Sequence, residues 1–300
     1  MMISKRNILI TGSSGMLGVD LGSELARDYN IIGMDVKPSA VNHQLSAFIK
    51  CDITDKDRII KSARDAKPDL IIHTAAWTDV DGCEEEPEKA KKINQKGTEN
   101  VAISTSELSI PLIYISTDFV FDGNKKALYT ENDLPNPVNI YGKSKLEGEK
   151  KVAALNKYII LRTGWMFGVN GKNFVDTILD KAKAKKEIKV VDDQIGCPTY
   201  TKDFATAIGK LLSVVPIRDT REIYHITNKG AVTWFDYTKE IIKIRGVDNI
   251  QLVPIKSDQL NRPAKRPAFS VLDNSKFEKA TGFVMRPWRD ALREYINAKK

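Results

Sequence analysis

Tyr141 and Lys145, four positions apart, could form an acid–base pair. In a helix, this spacing would bring both side chains to one face. A free tyrosine has a pKa of about 10 and exchanges protons poorly near neutral pH unless its surroundings tune it. A neighbouring ammonium group favours the phenolate, so Lys145 would lower the pKa of Tyr141. The spacing alone fits equally a lysine stem packed against a ring, and the rest of the chain must distinguish the two interpretations.

The segment that carries this pair, NPVNIYGKSKLEGEKKV (136–152), predicts a helix. Asn136 is a residue type that caps helices, and Pro137 suits the first helical position because its missing N–H costs nothing there. The run LEGEKKVAAL that follows consists mainly of good helix formers.

A glycine-rich stretch near the amino terminus, ILITGSSGMLG (8–18), indicates a dinucleotide site. Gly12, Gly15 and Gly18 follow a predicted strand and open a predicted helix. In such a motif the first glycine permits a tight turn, the second lets the backbone approach a pyrophosphate, and the third allows close helix–strand packing. The pyrophosphate would lie on the helix N-terminus. The alternative is an ordinary glycine-rich turn.

Asp35 ends the second apolar run and could bind the adenosine ribose hydroxyls, which favours NAD. Its carboxylate would repel a 2′-phosphate, although Lys37 could offset this repulsion. The alternative is a turn aspartate. We expect NADH or NADPH as the cofactor, with NADH used at least as well as NADPH.

Further polar residues follow later apolar strands, in CDI (51–53), HTAAWT (73–78) and ISTDFVFDG (115–123). Loops at the carboxyl ends of parallel strands are where ligands bind in such sheets. Thr117 and Asp118 would lie beside the place where Tyr141 reaches the nicotinamide. Thr117 could orient a substrate oxygen, and Lys145 could also bind the nicotinamide ribose.

The elements that must position these residues alternate between strand and helix. Predicted strands cover 6–11, 30–36, 69–75, 111–117 and 158–164, with helices between them. This order predicts an α/β fold with a Rossmann-type doubly wound parallel sheet, and the nearly continuous apolar runs suit strands buried on both faces. After about residue 165 the alternation loosens into helical segments near 172–185, 201–213, 233–245 and 287–298 and strand-like runs at 187–191, 222–227 and 250–255. We assign 1–164 and about 187–227 to a dinucleotide-binding domain, and about 165–186 and 228–300 to a smaller, interleaved substrate domain.

Composition restricts the function classes. The 300 residues are 42% hydrophobic, which suffices for one or two domains. Three cysteines without CxxC spacing suggest reduced thiols and a cytoplasmic protein, and the three scattered histidines give no metal cluster. We find neither a signal peptide nor a membrane span. The net charge of +8 is not accompanied by interleaved arginines and aromatics, so we expect no nucleic-acid partner.

Taken together, TGxxGxxG and YxxxK resemble the extended short-chain dehydrogenase/reductases. Several longer segments are similar, more narrowly, to the dTDP-4-dehydrorhamnose reductase family, and together they span almost the whole chain. They are AAWTDVDGCE (75–84), STDFVFDG (116–123), NIYGKSKLEGEK (139–150), RTGW (162–165), KNFVDTIL (172–179), DDQIGCPTY (192–200) and RPAFSVL (266–272). STDxVFDG, DDQxGxPT and RPxxSxL together are far more specific than the two short motifs.

The resemblance implies a catalytic set of Thr117, Tyr141 and Lys145 and sugar-nucleotide contacts near Thr117, Asp118 and Trp165. It implies cofactor contacts at Gly15, Met16, Leu17, Asp35, Asp52, Ile53, Ala76, Trp77 and Thr78. The reaction would be reduction of the C4 ketone of a dTDP-4-keto-6-deoxy sugar, dTDP-4-dehydrorhamnose to dTDP-L-rhamnose, with Tyr141 as proton donor. Trp77 stands where a smaller or imidazole ring is expected, and Gly164 where serine is common.

The loop NRPAKRPAFSVLD (261–273) holds three cations, and its prolines reduce the entropy lost when the loop orders on a ligand. Because arginine can bind phosphate with two parallel hydrogen bonds, we expect Arg266 first and Arg262 second to bind the substrate diphosphate. The alternative is a solvated basic loop.

Other functions remain open at this point. The chain could reduce another nucleotide sugar, or it could be a non-catalytic regulatory subunit resembling that of methionine adenosyltransferase. A dehydratase or epimerase is less favoured, because the Asp–Glu pair that often follows the threonine in dehydratases is broken by Phe119. A homodimer is compatible with the resemblance.

Overall fold

The computed structural model of the protein describes residues 5–39, 44–184 and 186–299. The predicted segments also include residues 1–4 and 40–43, Lys185 and Lys300, which lie outside the described residues. The first half of the chain forms β1 (Asn7–Thr11), α1 (Met16–Leu25), β2 (Asn30–Asp35), β3 (Ala47–Lys50), α2 (Lys56–Ala66), β4 (Leu70–His73), α3 (Val80–Glu85), α4 (Pro87–Ala90), α5 (Thr98–Glu107), β5 (Leu112–Thr117), α6 (Ile140–Ala153) and β6 (Tyr158–Thr163). The second half forms β7 (Met166–Phe167), α7 (Phe174–Ala184), β8 (Glu187–Val191), β9 (Ile195–Gly196), β10 (Thr199–Tyr200), α8 (Thr201–Val214), β11 (Arg221–His225), β12 (Val232–Thr233), α9 (Trp234–Arg245), β13 (Gln251–Ile255), α10 (Ser275–Thr281) and α11 (Trp288–Asn297).

Seven parallel strands form the central sheet, in the order β11-β6-β5-β4-β1-β2-β3. β4 and β5 are buried along their whole length, as their apolar sequences require when helices cover both faces. The Rossmann-type doubly wound fold is therefore confirmed. The strand order reverses direction between β1 and β4, which opens a crevice at their carboxyl ends.

Successive residues of β1 point to opposite faces of the sheet, and each face has its own apolar core. Ile8 and Ile10 join the core beneath α1 and α8, whereas Leu9 joins the core beneath α2 and α5. A third core lies outside the sheet, around Phe167 and Trp288, and is built from β7, α7, α9 and α11. This third core defines the smaller part of the protein. No helix within the described ranges is long and apolar enough to cross a membrane.

The boundary between the two parts differs in one place from the predicted division. β8 pairs with β13 in a separate two-stranded sheet, and its Ile188 and Val190 belong to the third core. The prediction had grouped 187–227 with the cofactor domain, yet of these residues only α8 and β11 pack on or join the central sheet. We therefore propose that the smaller part takes in 187–200 as well.

The helix that carries Tyr141 and Lys145 begins later than predicted. α6 starts at Ile140, and the Asn139 side chain caps it by accepting a hydrogen bond from the Gly142 N–H at 2.8 Å. Asn136, the predicted cap, instead donates its side-chain amide to Asp122, 3.2 Å away. The prediction of the helix was correct and that of its cap was wrong, because two asparagines stand near its start.

The helical region predicted between the strands at 69–75 and 111–117 is not one continuous α-helix. α4 and α5 flank a π-helical stretch, Lys91–Gly97. Within it the Asn94 side chain accepts from the Trp77 N–H at 2.8 Å and donates to the Trp77 carbonyl at 3.0 Å. These two bonds fasten the widened turn to the loop that follows β4, at the edge of the crevice.

Candidate active site

Two cavities meet at the carboxyl edge of the sheet, one on each side of the glycine-rich turn. The larger has a volume of about 530 Å³, and of the predicted cofactor residues it is lined by Gly12, Gly15, Asp35, Asp52, Ile53 and Ala76. The other, about 440 Å³, is the candidate catalytic cleft. It is lined by Gly12, Gly15, Met16, Leu17, Gly18, Ala76, Thr78, Thr117, Asp118, Tyr141, Lys145 and Trp165. Residues from seven separate segments of the chain are thus brought to one continuous crevice.

The turn between β1 and α1 has the geometry of a phosphate cradle. Gly12 has a φ of +72°, and a Cβ there would lie 2.6 Å from the Ala75 nitrogen. A Cβ on Gly18 would collide with the Gly12 carbonyl oxygen. No side chain of the described residues caps the N-terminus of α1, so its first N–H groups can bind an anion such as a pyrophosphate.

Asp35 lies at the end of β2 and connects to this turn. Its carboxylate accepts from the backbone N–H groups of Ser14 at 3.0 Å and Val36 at 2.7 Å. Lys89 and Lys92 line the same cavity, where sequence reasoning had named only Lys37 as a balancing cation. A carboxylate for ribose hydroxyls and two ammonium groups for a 2′-phosphate therefore share one cavity.

Thr117, Tyr141 and Lys145 converge in the catalytic cleft. Thr117 ends β5, and its hydroxyl donates to Asp118 at 3.1 Å and lies close enough to the Tyr141 side chain to favour the ionised form of that tyrosine. The Lys145 ammonium donates to the Ile115 carbonyl at 2.8 Å and lies 4.1 Å from the centre of the Tyr114 ring. These contacts fix all three side chains relative to β5.

The protonation of this pair differs from the expectation. Burial raises the pKa of Tyr141 above its ordinary value of 10, and the Thr117 hydrogen bond only partly opposes the rise. Burial also lowers the pKa of Lys145 to about 7. The expected net lowering of the Tyr141 pKa is wrong for this structure, because desolvation of the phenolate outweighs any stabilisation that Lys145 supplies. Tyr141 therefore stays protonated at neutral pH, as a proton donor requires.

Asp118 is a further titratable group in the cleft. Its carboxylate is buried, which raises its pKa to about 6, although hydrogen bonds from Ser270 at 2.5 Å and from Thr117 oppose the rise. A Cβ on Gly164 would lie 2.6 to 2.8 Å from the carboxyl atoms of Asp118. The glycine at 164, where serine is common in the resembling family, therefore provides the space that this carboxyl group occupies.

Trp165 stacks on Trp234, a residue that sequence reasoning missed. The two rings are nearly parallel, 3°, with centroids 3.4 Å apart. Trp165 has a φ of +48°, and its ring lies against Gly196, where any Cβ would collide with it. Trp234 lines both the catalytic cleft and a third cavity of about 290 Å³. The stacked pair forms part of the wall between these two spaces.

Arg262 and Arg266 line this third cavity with Lys181 and Lys189. Both arginines are already engaged by Asp81 of α3, which was also missed: Arg266 makes two hydrogen bonds to it, 2.7 and 2.8 Å long, and Arg262 one of 3.0 Å. Partial burial of Asp81 favours a higher pKa, but the arginine hydrogen bonds outweigh it and lower the pKa to about 2. A substrate diphosphate would have to share these arginines with Asp81 or take them from it.

Trp77 is the one predicted contact residue that lines none of the three cavities. The centre of its ring lies 4.2 Å from the Lys89 ammonium, and the ring packs against an apolar cluster of Cys83, Ala90 and Tyr141. The departure from a smaller ring at this position thus affects the packing around Tyr141 rather than the cavity wall.

The signals for the missed residues differ in kind. Ser270 is the serine of RPxxSxL and could have been read from the motif. Asp81 lies in the family-like segment AAWTDVDGCE, although nothing there identifies its arginine partners. Lys89, Lys92 and Trp234 reach the site only through tertiary contacts, and no local pattern marks them.

Comparison with known proteins agrees with this geometry. The family model described as the RmlD substrate binding domain matches residues 6–300. The spore coat polysaccharide biosynthesis protein SpsK of Bacillus subtilis is 36% identical over 294 residues, covering 97% of each chain.

Two crystal structures resemble the fold closely. A dTDP-4-dehydrorhamnose reductase of Clostridium acetobutylicum is 39% identical, with a TM-score of 0.89 and coverage of 98% of this chain and 99% of that one. The dTDP-4-dehydrorhamnose reductase of Bacillus anthracis, solved in complex with NADP, is 35% identical, with a TM-score of 0.88 and coverage of 98% and 100%. On the extent and level of this similarity, the chain belongs to the dTDP-4-dehydrorhamnose reductase family of extended short-chain dehydrogenase/reductases, which are NAD(P)H-dependent oxidoreductases.

Proposed function

We propose that the protein reduces the C4 ketone of a dTDP-4-keto-6-deoxy sugar, converting dTDP-4-dehydrorhamnose to dTDP-L-rhamnose, with Tyr141 as the proton donor. The observation that carries the proposal is the convergence of Thr117, Tyr141 and Lys145 in one cleft beside the glycine-rich turn. The sugar and nucleotide are taken from the names of the similar crystal structures.

The cofactor would lie across the crevice, with one half in each of the two cavities that meet at the glycine-rich turn. The cradle at Gly12 and the uncapped start of α1 suit the pyrophosphate, and the cavity of Asp35 suits the adenosine. The nicotinamide would then enter the catalytic cleft, where bound NADH or NADPH supplies the hydride. Met16 and Leu17 form the cleft wall nearest the turn.

Proton delivery falls to Tyr141, whose raised pKa keeps the hydroxyl protonated until the ketone oxygen gains negative charge. Thr117 would hold the ketone oxygen beside the phenol. Lys145, with a pKa of about 7, would carry a positive charge for part of the time. That charge would stabilise the phenolate left after the proton has moved.

The nucleotide part of the substrate would pass the Trp165–Trp234 pair into the third cavity. Four cationic side chains line that cavity, and Arg266 remains our first choice for the diphosphate. Asp81 holds the Arg266 guanidinium group in place, which favours binding of the diphosphate. The Asp81 carboxylate nevertheless competes with the phosphates for the same N–H donors.

Two other functions remain as alternatives. One is reduction of a different nucleotide sugar, to which the polysaccharide role in the name of the B. subtilis relative also corresponds. The other is a non-catalytic regulatory subunit, against which the intact Tyr141 and Lys145 argue. We further propose a cytoplasmic location, supported by the free thiols of Cys51, Cys83 and Cys197, with no nucleic-acid partner. A homodimer stays an open prediction.

The experiment is a panel of keto-sugar nucleotides assayed with NADH and with NADPH, with Tyr141→Phe as the matched control. We expect oxidation of the cofactor with dTDP-4-dehydrorhamnose and little with the variant. Turnover of another keto-sugar nucleotide, and not of dTDP-4-dehydrorhamnose, would show that the protein reduces a different nucleotide sugar. No turnover of any member by a protein that still binds the cofactor would favour the regulatory subunit.

A further inference from the structure

A buried ion pair lies directly beneath the helix that carries the candidate catalytic residues. Glu149 of α6 accepts two hydrogen bonds from Arg162, at 2.9 and 2.7 Å, and one from the Ser116 hydroxyl at 2.5 Å. All three residues are less than 5% exposed. A carboxylate and a guanidinium group are costly to bury, so their presence here requires a reason.

Glu149 connects three elements that build the site. Ser116 and Arg162 face each other across β5 and β6, in register, and Glu149 reaches both from α6 above them. Gly148, the preceding residue, has no room for a Cβ, which would lie 2.5 Å from the Tyr114 hydroxyl. The helix is therefore pressed against the strand that presents Thr117 at its end, and Glu149 fixes its position there.

The position of Glu149 along α6 also matters. Tyr141, Lys145 and Glu149 are spaced four residues apart, so all three lie on the face of the helix turned toward the sheet. Lys145 donates to Ile115 and Glu149 accepts from Ser116, the next residue of the same strand. The ammonium group and the carboxylate are thus held on adjacent positions of β5.

We propose that Glu149, held by Arg162 and Ser116, is a positioning residue that locates Lys145 and keeps it positively charged for the reaction. This inference rests on the proposed function, because it assigns Lys145 a part in turnover. Burial of Lys145 lowers its pKa, and the negative charge of Glu149 opposes that change. Among the described residues, the other charged or titratable side chains around the pair are His73, Cys83, Tyr114, Asp118, Tyr141, Arg162 and His225. Burial and the Arg162 charge lower the pKa of His225 to about 3, so this ring is neutral.

These neighbours do not replace the contribution of Glu149. His73 on β4 is fully buried and has a pKa lowered to about 3 by burial and by Lys145, so it is neutral. Burial raises the pKa values of Tyr114 and Tyr141, and burial raises that of Cys83 to about 12, so all three are neutral at pH 7. The charge of Asp118 raises the pKa of Tyr141, whereas Glu149 is the charged group that raises the pKa of Lys145.

The test compares Glu149→Gln with Glu147→Gln. Glu147 is a carboxylate on the same helix, but it is exposed and paired with Lys150, so its removal changes the charge without touching the buried pair. The first readout is the titration midpoint of Lys145. It is measured by NMR of the Lys145 side-chain carbon in lysine-labelled protein, and the signal is assigned with the Lys145→Arg variant. The second is the pH profile of kcat/KM, whose alkaline limb would report loss of the Lys145 charge.

We expect Glu149→Gln to lower the Lys145 midpoint by about one pH unit or more, the usual scale for a nearby opposite charge. The alkaline limb of kcat/KM should move to lower pH by a similar amount. Glu147→Gln should leave both unchanged. A purely structural ion pair would reduce the rate or the stability without moving either midpoint.

Glu149→Gln leaves the Arg162 charge unpaired and could prevent folding. The double variant Glu149→Gln/Arg162→Met removes both buried charges, a change that proteins often tolerate. It should show a smaller lowering of the Lys145 midpoint, because loss of the Arg162 charge opposes the change. A midpoint that is not lowered in any of these variants that folds would overturn the proposal. A lowered midpoint in a protein that reduces no keto sugar would uphold the effect of Glu149 on Lys145 and reject the proposed function instead.

Discussion

The carboxyl group of Asp118 gives the sharpest stability prediction. The pKa of Asp118 is raised to about 6 by burial, from an ordinary value of 3.8. The folded protein thus binds this proton more tightly than the unfolded chain, so the ionised carboxylate destabilises the fold above pH 6. The cost shrinks as the pH falls through 6 toward 3.8. Asp118→Asn keeps a similar shape and removes the charge, and we expect it to stabilise the protein at neutral pH.

The size of the effect follows from the shift. A difference of about two pKa units corresponds to about 3 kcal/mol, because each unit is worth about 1.4 kcal/mol. By the same linkage, about half of this gain should remain at pH 5 and less than about 1 kcal/mol at pH 4. The amide oxygen of the variant can accept from the Ser270 hydroxyl, but the bond that Thr117 donates to the second carboxylate oxygen is lost, which offsets part of the gain.

Urea unfolding at pH 7.5, 5 and 4 measures this difference, and comparing variant with wild type cancels the titration of the other carboxyl groups. Asp122→Asn is the matched control: hydrogen bonds from the backbone N–H of Asn124 and from Tyr129 lower the pKa of Asp122, so this change should not stabilise the protein at pH 7.5. Turnover by Asp118→Asn should fall, since the residue faces the substrate cleft. A variant that is no more stable than wild type at pH 7.5, with a difference independent of pH, would refute the reasoning.

Three further predictions concern the cleft and its two side cavities. Tyr141→Phe should retain cofactor binding, measured by fluorescence titration, but lower kcat by about 100-fold or more, the scale of a general acid; near-wild-type turnover would restore a packing role. NADH should serve at least as well as NADPH, and Asp35→Ala should shift the ratio of kcat/KM values toward NADPH; a wild-type enzyme strongly selective for NADPH would show that Lys89 and Lys92 override the carboxylate. Arg266→Ala should raise KM for the sugar nucleotide about 10-fold, or about 1.4 kcal/mol, and leave the affinity for NADH unchanged. Loss of affinity for both ligands would contradict the assignment of Arg266 to the substrate diphosphate.

The central sheet could be predicted from the sequence because its strands are buried on both faces. Continuous apolar runs such as LIIH and LIYIST have no other stable place in a protein of this size. The turn at Gly12 was equally predictable, since its positive φ and the nearby Ala75 backbone leave room for glycine alone.

The parts of the site that could not be predicted depend on contacts between distant segments. Asp81 and Arg266 are 185 positions apart, and nothing local marks the aspartate as the partner of that arginine. The π-helical stretch, KKINQKG, has no sequence pattern that separates it from an ordinary helix, and the bonds of Asn94 to the distant Trp77 are visible only in the fold. The direction of the Tyr141 and Lys145 pKa shifts required knowledge of burial, which spacing does not supply.

The stacked indoles of Trp165 and Trp234 have an optical consequence. Two parallel rings with centroids 3.4 Å apart are electronically coupled, so their near-ultraviolet circular dichroism depends on the distance and angle between them. Because Trp234 borders both the catalytic cleft and the arginine-lined cavity, a ligand that separates or tilts the rings would alter this signal. For the nucleotide sugar proposed to bind there, this signal would report entry without a dye and without turnover.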